Sequence, residues 1–194
     1  MRLYTVDRSN SLRMDQILPL TETDPLSLPY WITEGLYSES DLREHTKMLF
    51  PEGLSFHGWR YAKERHTYGT SPNFSHKATF LAEMNFEYVR KAYYPDKPSR
   101  FQSIFACETA DEARAFKERF GRPDSKIYEI EGDDFLRVDM SLIFLGTQNV
   151  TGSFLAHKYW QGESGNNPFW EFIVKLPAQV IREVIKAGSL ERTQ

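Results

Sequence analysis

At 194 residues and 22.7 kDa, with 40% apolar and 14% aromatic residues, the chain suits one compact domain with a sizeable core, which argues against a disordered protein. A net charge of -3 and a pI near 6.0 exclude the broad basic footprint of a general nucleic-acid binder, while leaving room for a local Lys/Arg patch. The single Cys107 excludes an internal disulfide and fits a reducing compartment.

The opening "MRLYTVDRSN" has no apolar signal core, and no run reaches the ~20 apolar residues that span a membrane, so the expected location is the cytoplasm. Leu3, Tyr4 and Val6 read as a short strand inside a sheet, ending at the turn-prone "RSNS". The proline- and hydroxyl-rich "DQILPLTETDPLSLP" reads as an ordered loop. A helix is predicted over 40–50, capped by Ser38 or Ser40, with Asp41 at its positive end and Pro51 and Gly53 as its stop. "GLSFHG" resembles a G-x-S-x-G nucleophile elbow, but His57 occupies the fifth position and no helical pattern follows; His57 reads as a hydrogen-bonded loop residue.

A second helix is predicted over 75–93. Leu81, Met84, Tyr88, Val89 and Ala92 form its inward stripe, and Glu83, Glu87, Arg90 and Lys91 its outer face. "RFQSIFACE" reads as a strand and "TADEARAFKERFG" as a helix with a Thr109/Glu112 capping box, Ala113, Phe116 and Phe120 inward, and Gly121 as the stop. "KIYEIE", "FLRVDMSLIF" and "FWEFIVKLP" are strand candidates, "YWQGESGNNPFW" reads as a mobile loop or a lid, and "AQVIREVIKAG" stays ambiguous. The expected fold is one α+β domain over 1–194, with helices mostly first and a mainly antiparallel split sheet after them.

Alternation along "FWEFIVKLP" sets Glu171 among apolar neighbours, where a carboxylate is at a rim, salt-bridged, or placed in a cleft that uses its charge. Asp139 is a further acid, read as a strand-end charge or a second cleft carboxylate. His45, His57, His66, His76 and His157 are too scattered for a metal centre, and P-loop and G-x-G-x-x-G patterns are missing.

The order "LYTVDRSNSL", then "SIFACETADEARAF", then "KIYEIEG", then a late strand bearing one Glu resembles the ADP-ribosyltransferase fold of small bacterial and phage transferases. "FPEGLSFHGWRY" and "PDKPSRFQSIFA" also resemble an uncharacterised bacterial domain family. The first resemblance implies NAD as substrate, a macromolecular acceptor (protein or nucleic acid) or water, and catalytic Glu171, Ser103 and Arg8. It further implies NAD contacts from Arg8, Thr5 and Ser99, with Phe105, Tyr159 or Trp160 stacking on the nicotinamide ring. Thr5 stands where such enzymes often carry His or Arg, so Arg8 takes that role. Phe169 replaces the second acid of arginine-modifying members, which implies an acceptor other than arginine. Two other readings stay open. One is an RNA-directed phosphotransferase of related fold using Arg60, Lys63, Arg65, Arg90, Lys97 and Arg100; the other is a catalytically silent module binding a nucleotide or protein.

Overall fold

The structure is a computed structural model that describes residues 1–23, 36–63, 74–146 and 148–185, with only the backbone of 74–80 and 149. Its described strands form two antiparallel sheets. Strands β1 (Arg2–Asp7), β2 (Ile17–Leu18), β4 (Lys126–Glu131) and β7 (Ala178–Glu183) make the first, in the order β1-β4-β7-β2. Strands β3 (Ser103–Ala106), β5 (Phe135–Asp139) and β6 (Trp170–Lys175) make the second, in the order β3-β6-β5. The sheets meet at Tyr4 and Cys107, whose backbones exchange hydrogen bonds of 2.9 and 2.7 Å. β1 is therefore an edge strand of its own sheet rather than an interior one, and its free edge is tied to the neighbouring sheet.

Period-two alternation distributes the core. Leu3, Ile104, Ile130, Phe172, Val174 and Val180 pack together between the sheets, while Ile173 of β6 faces a second cluster containing Phe86, Val138, Tyr159 and Trp160. Both faces of β6 are thus covered, as its nearly unbroken apolar run requires.

The described helices are α1 (Glu39–Leu49), α2 (Phe56–Lys63), α3 (Phe74–Tyr93), α4 (Ala110–Phe120) and α5 (Asn149–Trp160). The expected capping box forms at Thr109/Glu112, and at α1 the expected cap is Ser38, which makes a full capping box with Asp41. α4 and α5 lie between strands in the chain, so helices and strands alternate instead of segregating. Two helices depart from the sequence reading. α2 follows "GLS" directly, with Ser55 Oγ accepting the Gly58 N–H at 3.0 Å. α5 absorbs Tyr159 and Trp160 into its last turn, where a loop is predicted. The first six residues of the ambiguous tail form β7, its last three lie outside the described residues, and "RFQ" is a 3₁₀ turn capped by Ser99 rather than strand.

The predicted faces of α3 hold only in part, with Val89 buried and Met84 packed against a core cluster as expected. Tyr88 and Ala92 are exposed, while Glu83, Glu87 and Arg90 are buried. The charges tolerate burial because each finds an opposite partner: Arg90 holds Glu87 bidentately, at 3.1 and 2.9 Å, and Glu83 is held by Arg100. On α4, Ala113 is buried as expected, but Phe120 at the last turn is 40% exposed. No described helix is long and apolar enough to cross a membrane.

Candidate functional site

Ser99 starts the site. Its Oγ accepts the Phe101 N–H at 3.2 Å and donates to Glu87 at 2.9 Å, and the short turn it caps directs Arg100 into the protein. Arg100 Nε and Nη2 donate to the two oxygens of Glu83 at 2.6 and 3.0 Å, while Nη1 pairs with Oε1 of Glu171. Tyr159 Oη donates to that same oxygen at 3.3 Å. Among the described residues, the other oxygen of Glu171 takes no hydrogen bond. The guanidinium also lies 4.3 Å from the centre of the Phe105 ring, on the strand next to Glu171.

Burial pushes the Glu171 carboxyl up, the Arg100 charge and hydrogen bond oppose it, Glu83 pushes it further up, and the net shift is upward. Burial works against the charge on Arg100, but Glu171 and Glu83 outweigh it and hold the guanidinium protonated. Tyr159 is raised well above the usual phenol value, chiefly by burial, so it serves as a donor. With both carboxylates ionised, the Glu83–Arg100–Glu171 cluster carries one net negative charge.

Glu171 forms one wall of a recess of about 30 Å³, room for a single water or hydroxyl, together with Arg8, His57, Phe105, Cys107 and Phe116. A larger cavity of about 340 Å³ adjoins it, lined among others by Ser9, Ser11, Arg60 and Ser103. Thr5, Val6, Arg8 and His57 belong to both walls. The larger cavity has the size of a small-molecule pocket, and its wall holds the Arg8 and Arg60 guanidinium groups together with the Asp7 carboxylate. His57, on the first turn of α2, packs 5.3 Å from Phe105. Burial first, then the charges of Arg8, Arg60 and Arg100, pull its pKa down to about 3, so the ring is neutral. Among the described residues, no group of three or more His, Cys, Asp or Glu side chains is placed to hold a metal ion.

The chain belongs to the DUF2441 family, described as proteins of unknown function. The family model matches residues 3–187, a span that contains every residue of the cavity and its recess. No curated protein matches the chain.

Of the residues the resemblance singled out, Arg8, Thr5, Phe105 and Glu171 line the recess of this DUF2441 chain. Arg8 is exposed just beyond β1, and Thr5 Oγ1 donates to the Phe105 carbonyl at 2.8 Å across the sheet junction. Ser103 lines the larger cavity only, and its Oγ donates to the Ser99 carbonyl at 2.6 Å, so it does not touch Glu171. Ser99 lines neither cavity; it is a buried cap. Tyr159 and Trp160 are corrected outright, because both are buried in the core by α5 and present no ring to a ligand. Trp160 instead donates to the Phe86 carbonyl at 2.8 Å. Asp139 accepts N–H groups of Ser141, Gly165 and Phe169 at 2.8 to 2.9 Å, which makes it a loop anchor away from the cavity.

Of the six basic residues of the phosphotransferase reading, Arg65 lies outside the described residues, Arg90 and Arg100 are buried in ion pairs, Arg60 lines the cavity beside the recess, and Arg90 and Lys97 line a separate cavity of about 380 Å³. Sequence reasoning missed His57 as a site residue, and it named Arg100 only within the basic group of the phosphotransferase reading, not as the partner of Glu171. His57 was legible only if Ser55 had been taken as a helix cap. Arg100 stood beside Ser99 in "PSRF" with no sign that two distant carboxylates converge on it.

Proposed function

We propose that the chain is an NAD-consuming transferase of the ADP-ribosyltransferase class, passing ADP-ribose to a macromolecular acceptor or to water. The observation that carries this reading is the shared recess of Arg8 and Glu171, opening beside a cavity of about 340 Å³. The recess is too small for a pyridine ring but admits one hydroxyl, so a ribose hydroxyl would reach Glu171 while the rest of the dinucleotide occupies the larger cavity. Arg8, with Arg60, would meet the diphosphate oxygens through planar guanidinium forks.

Breaking the bond from nicotinamide to ribose develops positive charge on the sugar, as in glycoside cleavage, and nicotinamide leaves as a neutral molecule that needs no proton. One carboxylate therefore suffices. Glu171 would accept the ribose hydroxyl and stabilise the sugar cation, reinforced by the net negative charge of its cluster. Arg100 and Tyr159 act as positioning residues, since both bind the same oxygen and leave the other for substrate.

Nicotinamide release from NAD, followed by chromatography, tests this. Glu171→Gln is expected to lower the rate about 100-fold or more. The wild-type rate is expected to rise with pH through the upward-shifted carboxyl. Equal rates in the variant and the wild type, or no NAD turnover at all, defeat the proposal; NAD binding without turnover favours the silent module instead.

A further inference from the structure

Beside the recess, α4 and the start of β6 gather rings and guanidinium groups that NAD cleavage does not use. Phe116, part of the recess wall, has its ring centre 5.1 Å from Phe120 and 6.0 Å from Phe169, and the latter two are 5.5 Å apart. Arg8 stands 5.8 Å from the Phe116 ring, and Arg119 stands 4.9 and 5.2 Å from those of Phe120 and Phe169. Arg8, Arg119 and Phe120 are all exposed.

Asp111 pairs with Arg114 and Asp124 faces Arg122 at 3.4 Å, Asp7 accepts from Ser9 and the Leu12 N–H, and the exposed Glu118 makes no ion pair with the described residues. Among the described residues no carboxylate lies within ion-pair distance of Arg8 or Arg119. Two unneutralised guanidinium groups thus flank a three-ring platform on a protein whose net charge is -3. An acidic peptide would use the charges and leave the rings in water. A duplex would offer phosphates while hiding the faces of its bases. Unpaired nucleotides use both features, because every base has a face that stacks on an aromatic ring and every linkage a phosphate.

We infer that this surface holds a single-stranded nucleic acid, with a base stacked at Phe120 and Phe169 and phosphates at Arg8 and Arg119. The inference rests on the proposed transferase reading for its purpose: Arg8 and Phe116 also line the recess, so a strand seated here delivers its next nucleotide to the ribose end of the cleft as acceptor.

Fluorescence anisotropy without NAD tests the surface. The probes are labelled 12-nucleotide single-stranded DNA and RNA of mixed sequence, the matching duplex, and a labelled oligoglutamate peptide. Single strands are expected to bind at least tenfold more tightly than duplex or peptide, more weakly as salt rises, with Phe120→Ala and Arg119→Ala each weakening them about tenfold. Both variants alter exposed positions, and circular dichroism checks their folding; Arg43→Ala on exposed α1 is expected to bind like wild type. The inference is overturned by absence of micromolar single-strand binding at 50 mM salt, by unchanged affinity in Phe120→Ala, or by equal affinity for duplex or peptide. Because NAD is omitted, lack of NAD turnover leaves this readout intact, and lack of strand binding leaves the turnover assay intact.

Discussion

Replacing Arg100 by Met removes the cation between two buried carboxylates while retaining much of the side chain's length. Arg100, Glu83 and Glu171 are 4%, 3% and 6% exposed, so the carboxylates would be left in apolar surroundings with no cation to offset their desolvation. Removing one partner of a buried pair costs about 3–5 kcal/mol. For a chain of this size that is a fall in melting temperature of roughly 6–20 °C. The cost depends on pH in a definite direction. A carboxyl whose folded pKa lies above its unfolded value binds more protons in the folded state, so its penalty is absent below the unfolded pKa and grows as pH rises towards the folded one. Glu171 is already shifted upward with Arg100 present, and loss of the cation shifts it further. Urea unfolding is therefore expected to show a smaller loss for Arg100→Met at pH 5 than at pH 8, and Arg100→Met/Glu83→Gln/Glu171→Gln is expected to recover part of the loss at pH 8. A loss under about 1 kcal/mol, or one equal at both pH values and unrelieved in the triple variant, would refute the buried-cluster argument.

His57 titrates near 6.5 when unfolded and near 3 when folded, so its contribution is intact above 6.5 and is lost as pH falls towards 3. At pH 4 the difference comes to about 3 kcal/mol, and His57→Gln is expected to flatten the acid limb of a stability–pH profile by that amount; parallel limbs would contradict it. Gly58 faces the Phe101 carbonyl so closely that an added Cβ would lie 1.9 Å from its oxygen. Gly58→Ala is expected to cost about 3 kcal/mol or more in chemical denaturation by forcing α2 off the Arg100 turn, whereas a loss under about 1 kcal/mol would show that the helix simply shifts. Burial above all, then Glu112 and Glu171, raises the Cys107 thiol to about 12, so the native protein is expected to resist thiol reagents at pH 8 and react fully in urea, and fast native labelling would count against it.

Local signals carried well where they were self-contained. The Thr109/Glu112 box, the "KIYEIE" and "FWEFIVK" strands and the α+β class follow from capping and periodicity that operate within a few residues. α2 and α5 escaped because aromatic and Gly-containing stretches such as "FHGWRYAK" and "NVTGSFLAHKYW" have weak helix propensity and gain their structure from packing. The burial of Glu83 and Glu87 escaped for a different reason. Charges are assigned to the outer face unless a partner is in view, and the partner of Glu83, Arg100, is 17 residues away in sequence.

The sequence by itself determined β1, β3, β4, β5, β6, α1, α3 and α4, the caps of α1 and α4 and the placing of Glu171 among apolar residues, since each depends on neighbours a few positions apart. Only the tertiary structure decided that Arg8, from the end of the first strand, and Glu171, from the sixth, share one recess, that His57 closes it, and that Tyr159 supports it from the core instead of stacking on a ligand. These relations depend on the antiparallel registers and the Tyr4–Cys107 junction, which bring together side chains up to 163 positions apart, and no local pattern encodes that distance.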